Sequence, residues 1–292
     1  MTQSYKQSNS STADNNLNGV LLLRKPENSE NPIKWYSSKI AGVPFILRNL
    51  LTLQKADIKT LVVFMEDPHG DFQKSFEKIL QDPRLSQDII WVGNIAQLKE
   101  WIQNNPNPVY IFNGSALHDN KKLYQLIRSE TQNGEESFFP INPENLQDLL
   151  SNNAVDSIIG RSSESRYVGF PVYVPGSKDV EIQKPEDFKI LHEAQVGNSG
   201  LHHDSAITRI LSRPASRVLT RMFLNPPISP NQITLISFFL GLTSAFLFSR
   251  GYYESSVIAS VLLVFSTWKD GTDGEIARLK FMESDIGKKL DL

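Results

Sequence analysis

The chain has 292 residues, a formal charge of −2 and a mean hydropathy of −0.28, and this near-neutral balance shows no basic surplus of the kind a nucleic-acid surface needs. It contains no cysteine, which excludes disulfides and thiolate metal sites. The length admits one large domain or two smaller ones, and the apolar residues are so unevenly spread that two are expected.

Residues 1 to 18 are rich in Ser, Asn, Gln and Thr and have no apolar stretch resembling a signal peptide, so they read as a disordered leader. From residue 19 to 196 strand-like and helix-like stretches alternate. Gly19 to Leu23 has the pattern of a buried strand, Pro44 to Ala56 the spacing of a helix, Thr60 to Met65 a second strand and Phe72 to Leu80 a second helix. Ile89 to Val92, Ile95 to Gln103 and Val109 to Phe112 continue as strand, helix, strand. Such alternation predicts an α/β domain with a parallel sheet covered by helices. Within it, Glu66, Asp67 and His69 follow the second strand and read as a strand-end turn.

Residues 197 to 228 form a linker with amphipathic helices. His202, His203 and Asp204 read as a polar linker, because adjacent histidines point to different sides of an element. Arg209, Arg213, Arg217 and Arg221 recur every four residues, with Ile207, Ile210, Leu211, Val218, Met222 and Phe223 on other faces. That pattern predicts helices lying at a membrane surface, broken near Pro214, with the arginines on anionic headgroups or phosphates. Arginines at this place also assign the preceding domain to the cytoplasmic side.

From residue 229 onward the chain turns apolar. Ser229 is placed to cap a helix with Pro230 in its first turn. Asn231 to Ser249 has no charged residue in 19 positions, enough for a helix of roughly 28 Å, near the thickness of the bilayer core. After a five-residue link, Arg250 to Glu254, a second uncharged run covers the 14 residues from Ser255 to Trp268. It leads directly into an acidic segment, as the return arm of a membrane hairpin would.

That segment carries Asp270, Asp273 and Gly274, then Ala277 and Arg278, then Gly287 and Asp291. On a helix Asp270 and Asp273 share a face, with Ala277 one turn further on. Acids so close beside a membrane call for a neutralising cation, and hard oxygen ligands suit Mg²⁺ or Mn²⁺. Gly274 and Gly287 let a bulky ligand approach the backbone, and Arg278 offers a planar fork for phosphate. A solvated acidic helix face is the bland alternative for the two acids.

These residues resemble the CDP-alcohol phosphotransferase motif D-x2-D-G-x2-A-R-x8-G-x3-D-x3-D, matching seven of its fixed positions. The resemblance implies an α-helical transmembrane domain of which residues 229 to 292 would be an incomplete beginning: two membrane helices and the opening of a third. It implies metal ligation by Asp270, Asp273 and Asp291, and a CDP pocket shaped by Gly274, Ala277, Arg278 and Gly287. The family's last Asp, its general base toward the acceptor hydroxyl, would fall four positions after Asp291, beyond Leu292. The implied partners are a CDP-alcohol, a hydroxyl acceptor and the bilayer, and a homodimer is allowed. The expected reaction transfers a phospho-alcohol group with release of CMP, and the chain ending at Leu292 is expected to be inactive alone.

Residues 19 to 196 resemble a Rossmann-like sugar-phosphate or alcohol-phosphate nucleotidyltransferase domain, through Ile40 to Leu47, Leu50 to Asp57 and Val180 to Asp187. They depart from it where Arg24-Lys25-Pro26-Glu27-Asn28 replaces a glycine-rich phosphate loop, where Asn113-Gly114-Ser115 replaces a metal-binding Asp, and where Gln183 stands at a usually acidic position. A degenerate scaffold is therefore expected. The two-part order resembles fused cytidylyltransferase and di-myo-inositol phosphate synthase proteins. A membrane-anchored nucleotidyltransferase and a non-catalytic nucleotide-binding module remain as alternatives.

Overall fold

The computed structural model describes residues 17–29, 31–105, 107–128, 139–142, 146–150, 171–176, 181–198, 213–224, 226 and 228–283. In chain order the elements begin with β1 (Leu17–Leu22), α1 (Pro32–Ser37), β2 (Lys39–Ile40), β3 (Val43–Pro44), α2 (Phe45–Lys55) and β4 (Ile58–Phe64). They continue with α3 (Asp71–Leu80), β5 (Asp88–Val92), α4 (Ile95–Gln103), β6 (Val109–Asn113), α5 (Asn120–Arg128), β7 (Phe139–Pro140), α6 (Leu146–Leu150) and β8 (Val172–Val174). The helices α7 (Pro185–Gly197), α8 (Arg213–Leu224), α9 (Pro230–Ser249) and α10 (Tyr253–Leu279) follow. The described residues fall into two compact units. The first takes the chain up to Lys25 with Thr52–Gln81 and Leu85–Glu181; the second takes Pro26–Leu51, Asp82–Arg84 and the chain from Ile182 onward.

The first unit is the expected α/β layer. Its six-stranded sheet has the order β5-β4-β1-β6-β8-β7, parallel except for β7. β1 lies inside the sheet, which is why its Val20-Leu21-Leu22 run is continuously apolar and fully buried instead of alternating. Val20, Leu22, Val62, Phe64, Ile111 and Tyr173 form the centre of one core face, with Leu98 and Ile102 of α4 packed over it. Leu17 and Asn18, grouped with the leader by composition, already belong to β1. Asp67 caps α3: its carboxylate accepts the backbone N–H groups of Asp71, Phe72 and Gln73, each at 3.0 Å. The acid after the second expected strand thus has a structural task.

The second unit contains a tight β2–β3 hairpin and the C-terminal helices. Both hairpin turn residues, Ala41 (φ 46°) and Gly42 (φ 78°), are left-handed, as a two-residue turn matched to strand twist requires. A Cβ on Gly42 would lie 2.7 Å from the carbonyl oxygen of Leu224, so glycine is needed there for space as well. Tyr36 stacks on Phe45, and Phe188 meets Trp35 and Phe45 edge to face, with ring centroids 5.0 to 5.8 Å apart.

Of the described helices, α9 is long and apolar enough to cross a membrane by length and composition. Only 17% of its apolar window is buried, unlike an enclosed core helix. The expected second run, Ser255 to Trp268, lies inside the 27-residue α10, whose last third carries the charged motif.

In the first unit, His118 packs edge-on against Phe112 at 5.7 Å and donates from Nε2 to the Asn113 carbonyl at 2.9 Å. Burial pushes its pKa from 6.5 down to about 4. Between those values the unfolded chain binds the extra proton, so stability falls as pH drops through the window, by about 3 kcal/mol at its lower end. Urea titrations should show that His118→Gln removes this component; a variant whose acid sensitivity equals the parent's would refute it.

Candidate functional site

The motif helix is positioned by its partner. α9 and α10 run antiparallel, and their seam is made of small and hydroxylated residues: Ser237, Gly241 and Ser244 on one side, Ala259 and Ser266 on the other. Ser244 donates to the Ala259 carbonyl at 2.7 Å and Ser266 donates to the Ser237 carbonyl at 2.8 Å. Small side chains let two backbones approach, and each hydroxyl adds a directional bond where lipid would offer none. The outer faces carry Phe238, Phe239, Phe246, Val257, Ile258, Val261 and Phe265, all exposed.

This register brings Thr234, in the second turn of α9, against Asp273. The Thr234 hydroxyl faces both the Asp273 carboxylate and, at 3.2 Å, the Pro230 carbonyl, while the other Asp273 oxygen accepts the Gly274 N–H at 2.6 Å. Pro230 opens α9 behind Ser229, as the sequence predicts, and Ser229 and Gln232 together complete a capping box. Asp270, Gly274, Ala277 and Arg278 all stand on α10 with Asp273. Gly287 and Asp291 lie outside the described residues. Among the described residues no group of three or more His, Asp or Glu side chains gathers. Asp273 itself suits a hard cation: it is a carboxylate at a helix position where a hydroxyl and a backbone N–H orient both oxygens.

The C-terminal end of α10 is held by cations from distant segments. Arg48 of α2, buried, donates to the carbonyls of Leu279 (2.7 Å), Ile40 (3.1 Å) and Ala41 (3.4 Å). Arg84 donates to the Lys280 carbonyl at 2.6 Å while its fork grips Asp82 at 2.7 and 2.8 Å. The ammonium of Lys280 reaches back to the carbonyls of Phe223, Pro226 and Ile228, tying α10 to the turn before α9. Burial, with Lys39 and Arg84 nearby, lowers the Lys280 pKa. Positive charge at a helix C-terminus is favourable, and here it also satisfies carbonyls left without intrahelical partners.

Helix α8 starts at Arg213 with Pro214 in its first turn, and packs on α10 through a buried pair: Thr220 donates to Glu275 at 2.7 Å. Two of the four arginines are engaged with α7, Arg221 with Glu193 at 2.6 Å and Arg217 with the Gly197 carbonyl at 3.3 Å, and both remain exposed. Val218 and Met222 beside them are 63% and 67% exposed. Arg209 and the His202-His203-Asp204 cluster lie outside the described residues. Thr234, Thr220, Glu275, Arg48, Arg84 and Lys280 were not legible as site residues. Each acts through a partner far away in sequence, whereas the Ser229–Pro230 start of α9 gave a local signal.

At the carboxyl ends of β1, β6 and β8 in the first unit, polar side chains pair with one another. Arg24, buried, donates to the Tyr173 hydroxyl at 2.8 Å, and Asn113 donates to Glu181 at 3.3 Å. Gly114 is pinned against β1, its N–H 2.9 Å from the Leu22 carbonyl, and a Cβ there would lie 2.6 Å from that oxygen.

Residues 227–292 match the CDP-alcohol phosphatidyltransferase family. Over 123 residues the chain is 35% identical to the bifunctional IPC transferase and DIPP synthase of Archaeoglobus fulgidus, covering 41% of this chain and 24% of that protein. The proteins of the same description from Rubrobacter xylanophilus and Aquifex aeolicus are 30% and 31% identical over 116 residues, covering 40% and 38% of this chain. The matches span about a quarter of the length of these relatives.

Thr220→Val removes the hydroxyl that pairs with buried Glu275 and should destabilise the helical unit by about 1.5–3 kcal/mol, the range for hydrogen bonds to charged groups. Thr220→Ser should retain most of the parent's stability. Thermal unfolding in detergent checks both, and equal melting of the Val variant and the parent would count against the bond.

Proposed function

We propose that the second unit contributes the donor side of a CDP-alcohol phosphotransferase site, moving a phospho-alcohol group from a CDP-alcohol to an acceptor hydroxyl with release of CMP. The reading is carried by one observation: the motif helix that matches the CDP-alcohol phosphatidyltransferase family holds Asp273 against Thr234, a carboxylate oriented from outside as metal ligands usually are. Asp270, Asp273 and Asp291 supply the oxygen ligands. Mg²⁺ or Mn²⁺, when bound, would offset the charge of the diphosphate and of departing CMP. Arg278 offers its fork to a phosphate, Gly274 and Gly287 leave room for the nucleotide, and Ala277 keeps the same helix face low. The acceptor's proton requires a base that the resemblance places four positions after Asp291.

The alcohol carried is of a phosphatidyl or inositol-phosphate type. On this reading the first unit is a nucleotidyltransferase-like scaffold that has lost its activity, because Arg24, Tyr173 and Gly114 fill the edge where nucleotide phosphates would be cradled. The apolar α9 and α10 lie in a membrane with the N-terminal part on the cytoplasmic side, and α8 rests at the surface through Val218, Met222 and its arginines.

Two measurements bear on this. Asp273→Asn removes one charge from the ligand set with little change of shape, so CMP release should fall by roughly two orders of magnitude or more with helix content intact. The assay uses a form extended past Leu292 to include an acid four positions after Asp291; undiminished CMP release would end the assignment. Association with anionic vesicles should weaken as salt rises and should weaken further when Arg217 and Arg221 are both changed to Ala. Liposome flotation that is indifferent to salt, lipid charge and both arginines would remove α8 from the surface.

A further inference from the structure

Around the end of α10 the second unit gathers positive charge. Residues 39–48, 82–84 and 279–283 carry Lys39, Arg48, Arg84 and Lys280 against two acids, Asp82 and Glu283. Arg48 and Arg84 donate to the consecutive carbonyls of Leu279 and Lys280, so their guanidinium groups sit side by side. The Lys280 side chain lies against the β2–β3 turn, where a Cβ on Gly42 would come within 3.2 Å of its Cε. Lys39 opens β2, one residue before Ile40, whose carbonyl takes the Nε–H of Arg48. Like charges gathered in this way repel one another. Burial, and after it Arg84, lowers the Arg48 pKa to about 10, and burial followed by Lys39 and Arg84 lowers that of Lys280.

Most of the donors in this cluster are engaged, and two groups are not. Arg84 gives Nε and Nη2 to Asp82 and Nη1 to the Lys280 carbonyl, and the Lys280 ammonium turns to three carbonyls. Arg48 uses Nε and Nη2, whereas its Nη1 makes no bond among the described residues, although the side chain is buried. The Phe281 ring, its centre 5.2 Å from the guanidinium carbon, covers one face of that group. Lys39 is exposed, and its ammonium has no ion pair or hydrogen bond among the described residues. We propose that this cluster is a binding site for a phosphomonoester, contacted by Arg48 Nη1 and the Lys39 ammonium and held in the field of Arg84 and Lys280. The chemistry follows from charge and shape. A carboxylate would offset half of the excess positive charge, whereas a phosphomonoester carries about −1.5 to −2 at neutral pH and offsets most of it. Its three terminal oxygens accept from a guanidinium and an ammonium at once. The phosphate belongs either to a soluble molecule or to a lipid headgroup. None of the four cations is a motif residue, so the proposal stands apart from the CDP-alcohol reading.

Inorganic phosphate is the probe, measured by equilibrium dialysis on the detergent-solubilised 292-residue chain without divalent metal. Saturable binding is expected. Lys39→Gln, at an exposed position, should weaken it by roughly threefold. Arg48→Lys keeps the charge and loses the fork, and should weaken it by about tenfold or more. Lys39→Gln decides the matter if Arg48→Lys does not fold. Arg278→Gln, which removes the motif's own phosphate fork, should leave binding unchanged. Flotation separates the two sources, using phosphatidylcholine vesicles that carry either phosphatidic acid, a phosphomonoester, or phosphatidylglycerol, a diester. A preference for phosphatidic acid that Lys39→Gln removes assigns the site to a headgroup, and phosphate binding without that preference assigns it to a soluble ligand. Absence of saturable phosphate binding together with absence of a Lys39-dependent preference for phosphatidic acid overturns the proposal. So does phosphate binding that is indifferent to both Lys39→Gln and Arg48→Lys, or that is lost with Arg278→Gln.

Discussion

The register between α9 and α10 is the constraint from which the arrangement of the site follows. Two apolar helices with few large residues at their seam could slide, since lipid-like faces do not discriminate among registers. The hydroxyls of Ser244 and Ser266 prevent this, because each bonds to one carbonyl across the seam and a slip of one residue would leave both unmatched. With these two bonds fixed, Thr234 meets Asp273 at the same end of the pair as the motif. Small residues therefore set both the closeness of the helices and the pairing of the carboxylate.

Charge is treated in opposite ways at the two ends of α10. Its first turns carry apolar side chains outward and only Glu254 as an acid, whereas its last turn is surrounded by Arg48, Arg84 and Lys280. Buried cations are expensive unless paired, and here Arg48 and Lys280 donate to backbone carbonyls while Arg84 divides its fork between a carbonyl and Asp82.

Much of the fold was legible because it depends on local patterns. α4 begins and ends where the apolar spacing from Ile95 to Gln103 puts it, and β4, β5 and β6 each differ from their expected limits by no more than two residues at either end. The Ser229–Pro230 start of α9 was equally local. The motif acids were visible through their spacing and the helix that carries them. What surrounds them was not. Thr234 is 39 residues from Asp273 and Thr220 is 55 from Glu275, and nothing in the identity of a threonine indicates that a carboxylate lies opposite. Arg48 was read only as part of an amphipathic helix. Its partners are backbone carbonyls, which every residue has, so no pattern of side chains could announce them.

The contact between Arg48 and Leu279 spans 231 residues, which gives it a meaning in time as well as in space. During synthesis Arg48 leaves the ribosome long before the carbonyl it serves has been made, and throughout that interval its guanidinium must stay solvated or be held by temporary partners. The β2–β3 turn can offer two of the three carbonyls early, since Ile40 and Ala41 lie only eight and seven residues away. In chain order, two of the three carbonyls that Arg48 uses are therefore present before the third has been made.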